Sequence, residues 1–148
     1  MFRKISSILA AGALASAAFG LTAHAQDHMA PRQAIEAAAS AAPAGVDGAF
    51  EVRVRTVGRS EDRVILNSEA DYRDQRNLSI VLSPDAVQAI EAKYGQRIED
   101  YFQGRKLLVS GQARRVTIWF FADGERSDKY YYQTHVDVAD PEQLKLVE

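Results

Sequence analysis

The sequence predicts a mainly β domain: a five-stranded Greek-key barrel with one helix between its third and fourth strands. Three observations carry this. Short runs in which apolar and polar residues alternate recur from residue 49 onward. One sharply punctuated helix, over 83–95, follows the third of those runs. Two long β-prone runs, 106–122 and 129–138, come last.

The N-terminus sets the compartment. "MFRKISSILAAGALASAAFGLTAHAQ" opens on Arg3 and Lys4, continues as an Ala/Gly/Leu run, and reaches Ala23-His24-Ala25 before Gln26. A basic start, an apolar middle and a small-x-small site are the layout of a secretory signal peptide, here residues 1–25. Ser6, Ser7, Ser16 and Thr22 make the run weakly apolar, and it is short for a membrane span of ~20 residues. The expectation is a chain cleaved after Ala25, without a later membrane span, in the periplasm or outside the cell. The sequence contains no cysteine, so neither a lipid-anchored cysteine nor a disulfide is available. The core alone must hold the fold, and residues 26–148 suit one domain.

Residues 26–48, "QDHMAPRQAIEAAASAAPAGVDG", read as a flexible Ala-rich leader. Ile35 is almost the only large apolar side chain there, so a helix starting at Pro31 would have no face to bury. The folded domain is placed at 49–148. Phe50, Val52 and Val54 alternate with Glu51, Arg53 and Arg55 in a first half-buried strand. "GRSED" turns the chain, "RVILN" makes the second strand, and "NLSIVL" the third. In "SPDAVQAIEAKYG", Ser83 suits the N-cap, Pro84 the first helical position, and Gly95 the C-terminal stop. A short helical piece, "QRIEDYFQG", follows. "KLLVSGQARRVTIWFFA" is a long fourth strand with Gly111 as an expected bulge. "DGERSD" turns into a fifth strand, "KYYYQTHVDV". A symmetric turn would set Phe121 against Tyr130, Trp119 against Tyr132 and Arg114 against Asp137.

Three strands, a helix and two strands is the order of the OB-fold. "LNSEADYRDQRNLSIVL", "YFQGRKLLVSGQARR" and the closing "DPEQLKLVE" resemble small secreted bacterial OB-fold domains, found alone behind signal peptides or accompanying secreted nucleases. The matching positions are Leu66-Asn67, Asp71 to Asp74, Gly104 to Gly111 and Asp140-Pro141, across roughly residues 50–148. The resemblance implies a binding module. The long aromatic hairpin from Trp119 to Tyr132 departs from the shorter connection usual in that group.

Charge limits the ligands. After removal of Arg3 and Lys4, 16 basic residues face 20 acidic ones, a net of −4. Such a chain is a poor general binder of phosphate backbones, although residues 53–115 are net basic and 116–148 net acidic. The loop "LNSEADYRDQRNL" between strands two and three has two readings. Arg73, Arg76 and Tyr72 can contact phosphate and stack on bases. Alternatively, Asp71 and Asp74 pair with those arginines and the loop holds itself, the reading that the alternating charge favours. On the hairpin, Trp119, Phe121, Tyr130 and Tyr132 share one face, with Phe120 and Tyr131 on the other. Aromatics on both faces exceed what a barrel core uses, so one set is a candidate surface for bases, sugars or a partner protein.

Catalytic patterns are weak. His135 has no cysteine or second domain histidine to complete a metal site. Ser110, His135 and Asp137 lack a nucleophile turn of the G-x-S-x-G kind. The expectation is a non-enzymatic module without a cofactor. Its expected ligand residues are Arg53, Arg55, Tyr72, Arg73, Arg76, Arg114, Trp119, Phe121, Tyr130 and Tyr132. Its ligand is expected to be single-stranded nucleic acid or another small anionic molecule, and the alternative is a partner protein.

Overall fold

A computed structural model describes residues 27–147. The predicted signal peptide lies outside the described residues. The rest is mainly β, a sheet curled into a half-barrel. Its order is β2 (Thr56–Arg59), β3 (Val64–Asn67), β4 (Leu78–Leu82), β6 (Glu125–Val138), β5 (Lys106–Ala122) and β1 (Val46–Arg53). Strand β7 (Leu144–Leu146) pairs with β5 residues 107–109 on the edge opposite β1, following β6 along that edge. All pairings are antiparallel except β4 with β6. The strands at the two ends of this order, β1 and β2, are joined by only Val54 and Arg55. The Val54 amide donates to Arg105 O at 2.9 Å and the Arg55 amide to Asn67 O at 2.8 Å. Consecutive residues thus bond to opposite ends of the sheet, which draws those ends together.

Period-two alternation fills the interior. Phe50 and Val52 from β1, Leu66 from β3, Leu78 and Ile80 from β4, and Leu107 and Val109 from β5 are all fully buried. Helix α2 (Pro84–Tyr94) follows its punctuation. Ser83 Oγ accepts from the Ala86 amide at 3.2 Å, and Gly95 ends the helix in the left-handed region at φ 65°. With α3 (Ile98–Phe102), it contributes Val87, Ile90, Ile98 and Phe102 to the core.

Arg59 on β2 ties the helices to the sheet. Its guanidinium donates to Glu99 at 2.6 and 2.9 Å and also to Glu91. The Glu99 carboxyl is held down at about 2, chiefly by the hydrogen bond from Arg59. A carboxyl whose folded pKa lies below its unfolded value contributes stability above that unfolded value, here 4.5, and loses it as pH falls toward 2. After discounting for solvent screening, this pair is expected to contribute about 1–2 kcal/mol. Glu99→Gln should therefore flatten the fall in urea stability between pH 4.5 and 2. An unchanged pH profile would remove Glu99 as its source.

The Ala-rich segment departs from the sequence expectation. Residues Pro31–Ala41 form helix α1. Ala34 and Ala38, one turn apart, are fully buried against the sheet. Just before it, the Met29 amide donates to Ala49 O at 2.9 Å and Met29 O accepts from the Glu51 amide at 3.0 Å. Large apolar side chains are scarce here, but two alanines let the helix approach the sheet closely and bury its backbone. The sheet likewise begins at Val46, ahead of the expected start at 49.

Two details of the hairpin also differ. Gly111 continues the ladder opposite Gly48 without a bulge. Its role is close approach, since a β-carbon there would lie 3.0 Å from Val136 Cγ1. The irregularity falls instead between Trp119 and Phe121, where Phe120 alone faces residues 127–129. The turn is only Asp123-Gly124, both at positive φ (53° and 82°), the backbone of a tight hairpin turn. That turn shifts the register, so Trp119 faces Tyr130, Thr117 faces Tyr132, Phe121 faces Arg126 and Arg114 faces His135. Arg114 still reaches Asp137 diagonally, at 2.7 Å.

Candidate functional site

Beyond the barrel, the β5–β6 hairpin carries a ladder of rings and guanidinium groups on the face that continues from the core. Arg115 Cζ lies 4.3 Å from the Tyr132 ring centroid. Tyr132 meets Tyr130 at 5.4 Å, Tyr130 meets Trp119 at 5.1 Å, and Arg126 Cζ lies 4.6 Å from the Trp119 ring. Phe121 extends the strip and is 68% exposed, while Trp119 is 36% exposed. Neither Arg115 nor Arg126 has an ion-pair partner among the described residues, so their positive charge faces solvent. The Tyr132 hydroxyl beside it raises the Tyr130 phenol, which stays neutral at physiological pH. Cation–π contact over tyrosine and tryptophan pre-orders the strip and aligns its rings. On the opposite face, Phe120 and Tyr131 meet at 5.4 Å.

Of the predicted site residues, the structure gathers Trp119, Phe121, Tyr130 and Tyr132 and leaves the others outside. Arg53 donates to Gly104 O at 2.9 Å and sits opposite Lys106. Trp119 lies thirteen residues farther along that strand, about 40 Å away. Arg55 lies between β1 and β2, with its amide bonded to Asn67 O. Arg114 spends its charge on Asp137. Sequence reasoning missed Arg115 and Arg126. Arg115 was legible, because 115, 117, 119 and 121 keep a period of two. Arg126 joins only because the short turn sets it opposite Phe121.

The loop at 68–77 is built on itself. Asp71 Oδ1 accepts from the Arg73 amide at 2.9 Å and from its guanidinium at 3.2 Å. Asp74 repeats the motif with Arg76, at 2.9 Å for the amide and 2.7 Å for the closest guanidinium contact. The Arg76 guanidinium, with its amide, holds the Asp74 carboxyl at about 2, and the Arg73 amide and side chain lower Asp71. Beneath, the buried Asn77 side chain donates to Asn67 Oδ1 at 3.0 Å, Ser79 Oγ at 2.9 Å and Tyr72 O at 3.3 Å. Its own Oδ1 accepts from the Glu69 amide at 3.0 Å. Thus ten residues, five of them charged, form two repeated aspartate turns clamped to a buried amide.

A cleft of about 440 Å³ opens beside this loop, lined by Gly58, Arg59, Asn67, Tyr72, Ser79 and Gln133. Of its polar side chains, Arg59, Asn67, Ser79 and Gln133 already bond to one another or to neighbours. Arg59 is committed to Glu91 and Glu99, and Gln133 Nε2 donates to the Tyr131 hydroxyl at 2.9 Å. Gln133 Oε1 contacts His135 Nε2 at 2.7 Å, and burial lowers the pKa of that imidazole. Ser110 lies four residues from Arg114, which faces His135, so serine and imidazole stand about 13 Å apart. Among the described residues, no group of three histidine, cysteine or acidic side chains is placed to hold a metal ion. No helix among them is long and apolar enough to cross a membrane. Comparison with protein-family models finds no match, and a search of curated proteins finds none either.

Proposed function

We propose that this chain is an exported, non-enzymatic binding module of the OB-fold type whose hairpin ladder takes single-stranded oligonucleotide. The fold reading is supported by strand order. If β1 and β2 are one bent strand, the sheet contains five strands besides the short β7, with β4 and β6 parallel and α2 between the third and fourth. Export is supported by the layout of residues 1–25, and N-terminal mass spectrometry of the expressed protein tests it by whether the chain starts at Gln26.

The observation that carries the ligand reading is the ladder, where stacking surfaces stand beside two unpaired guanidinium groups. Bases offer π-faces to the rings, and phosphates offer charge to Arg115 and Arg126. With two cations, binding should fall with added salt at a shallow logarithmic slope of about −1.4. Fluorescence anisotropy of labelled single-stranded DNA and RNA oligomers, at low and near-physiological salt, measures this directly. Absence of binding at low salt would overturn the nucleic-acid reading. A protein partner is the second reading, favoured by Phe120 and Tyr131 on the other face. It predicts association that survives salt and fails in Phe120→Ala.

A further inference from the structure

The hairpin has two open edges, and they are not alike. Up to Ala113, strand β5 is flanked by β1 on one side and by β7 and then β6 on the other. From residue 114 to 122 it pairs with β6 alone among the described strands. Strand β6 pairs with β4 only from Thr134, so its segment 125–133 is open as well. That β6 edge carries Glu125, Arg126, Asp128 and Lys129, and it bulges at 127–129. Charges and bulges are the devices that keep an edge from pairing with another chain. Beyond Arg114 and Arg115 at its base, the open β5 edge has none of them. Residues 116–121 read VTIWFF, with no charge, proline or glycine and with high β-propensity.

We propose that this β5 edge pairs with the same edge of a second copy of the chain, joining two hairpins into one four-stranded ribbon. An isologous, antiparallel contact closes on itself, so both unguarded edges are covered and only the two guarded β6 edges face outward. A two-fold axis perpendicular to the ribbon keeps like faces together. Centred on Trp119, it sets Thr117 opposite the partner subunit's Phe121 and Arg115 opposite the partner subunit's Asp123. Neither Arg115 nor Asp123 has an ion-pair partner within its own chain among the described residues, and this register pairs them. Both ladders then lie on one face as a single platform.

The test is sedimentation velocity over a concentration series, using the expressed protein with its N-terminus defined by mass spectrometry. The wild type should sediment at twice the chain mass. Thr117→Lys with Phe121→Lys places like charges directly across the seam and should give a monomer, as should Thr117→Glu with Phe121→Glu. Mixing the two variants should restore the doubled mass, which a misfolded chain would not do. A wild type that stays monomeric throughout, variants that remain dimeric, or a mixture that stays monomeric would each overturn the pairing. No ligand enters the measurement, so its failure is separate from any failure to bind oligonucleotide.

Discussion

Replacing Trp119 with alanine is expected to weaken binding of single-stranded oligonucleotide by about ten- to a hundredfold, the loss of one base–aromatic stack worth about 1–3 kcal/mol. The indole is the centre of the ladder, touching Tyr130 on one side and the Arg126 guanidinium on the other. Its removal therefore takes away a stacking surface and releases two neighbours. The residue is part-exposed on a projecting hairpin, away from the buried core, so the folded state should persist. Phe120→Ala, on the opposite face, should leave oligonucleotide affinity unchanged. Arg126→Lys keeps the charge but loses the planar contact, and should cost severalfold. Anisotropy titrations at low salt distinguish these cases. Equal affinity for Trp119→Ala and the wild type would move the ligand off the ladder.

Asn77→Ala carries the largest expected loss of stability, about 2–4 kcal/mol. The side chain is 2% exposed, donates to three acceptors and accepts from the Glu69 amide. Alanine leaves Asn67 Oδ1 and the Glu69 amide short of partners in a site that water does not freely reach, and an unmade buried hydrogen bond costs more than a made one contributes. Urea denaturation should show a lower midpoint with an unchanged slope. The comparison that isolates the cause is Asp74→Ala in the same loop. Asp74 forms a close ion pair with Arg76, but that pair lies at the surface, where solvent screens it. A loss for Asp74→Ala as large as that for Asn77→Ala would mean that the ion pairs, and not the buried amide, hold the loop.

The same loop shows how far residues can be read without coordinates. Its alternating charge predicts self-pairing, and the two aspartate turns have that form. The sequence does not single out Asn77 from any other turn-forming asparagine. Its importance arises from Asn67 and Ser79, which meet it only once β3 and β4 are in register. The hairpin behaves similarly. Its strands and aromatic content are legible residue by residue, but the register is not. A two-residue turn and an irregularity opposite Phe120 shift every pairing expected from a symmetric six-residue turn. Helix α1 is the clearest miss, because alanines at 34 and 38 give no hydrophobic signal proportionate to the backbone they allow to pack.

By itself the sequence determined what depends on near neighbours: the alternating strands, the helix between Ser83 and Gly95, the absence of any disulfide and the candidate aromatic face. Strand propensity, capping and side-chain alternation act over a few residues, so they are written locally. The tertiary structure alone decided which arginines are spent and which remain available. Arg59, Arg73, Arg76 and Arg114 found carboxylates, whereas Arg115 and Arg126 settled over rings. A charge is cancelled by whatever the fold brings within a few ångströms of it, and that partner can lie anywhere along the chain.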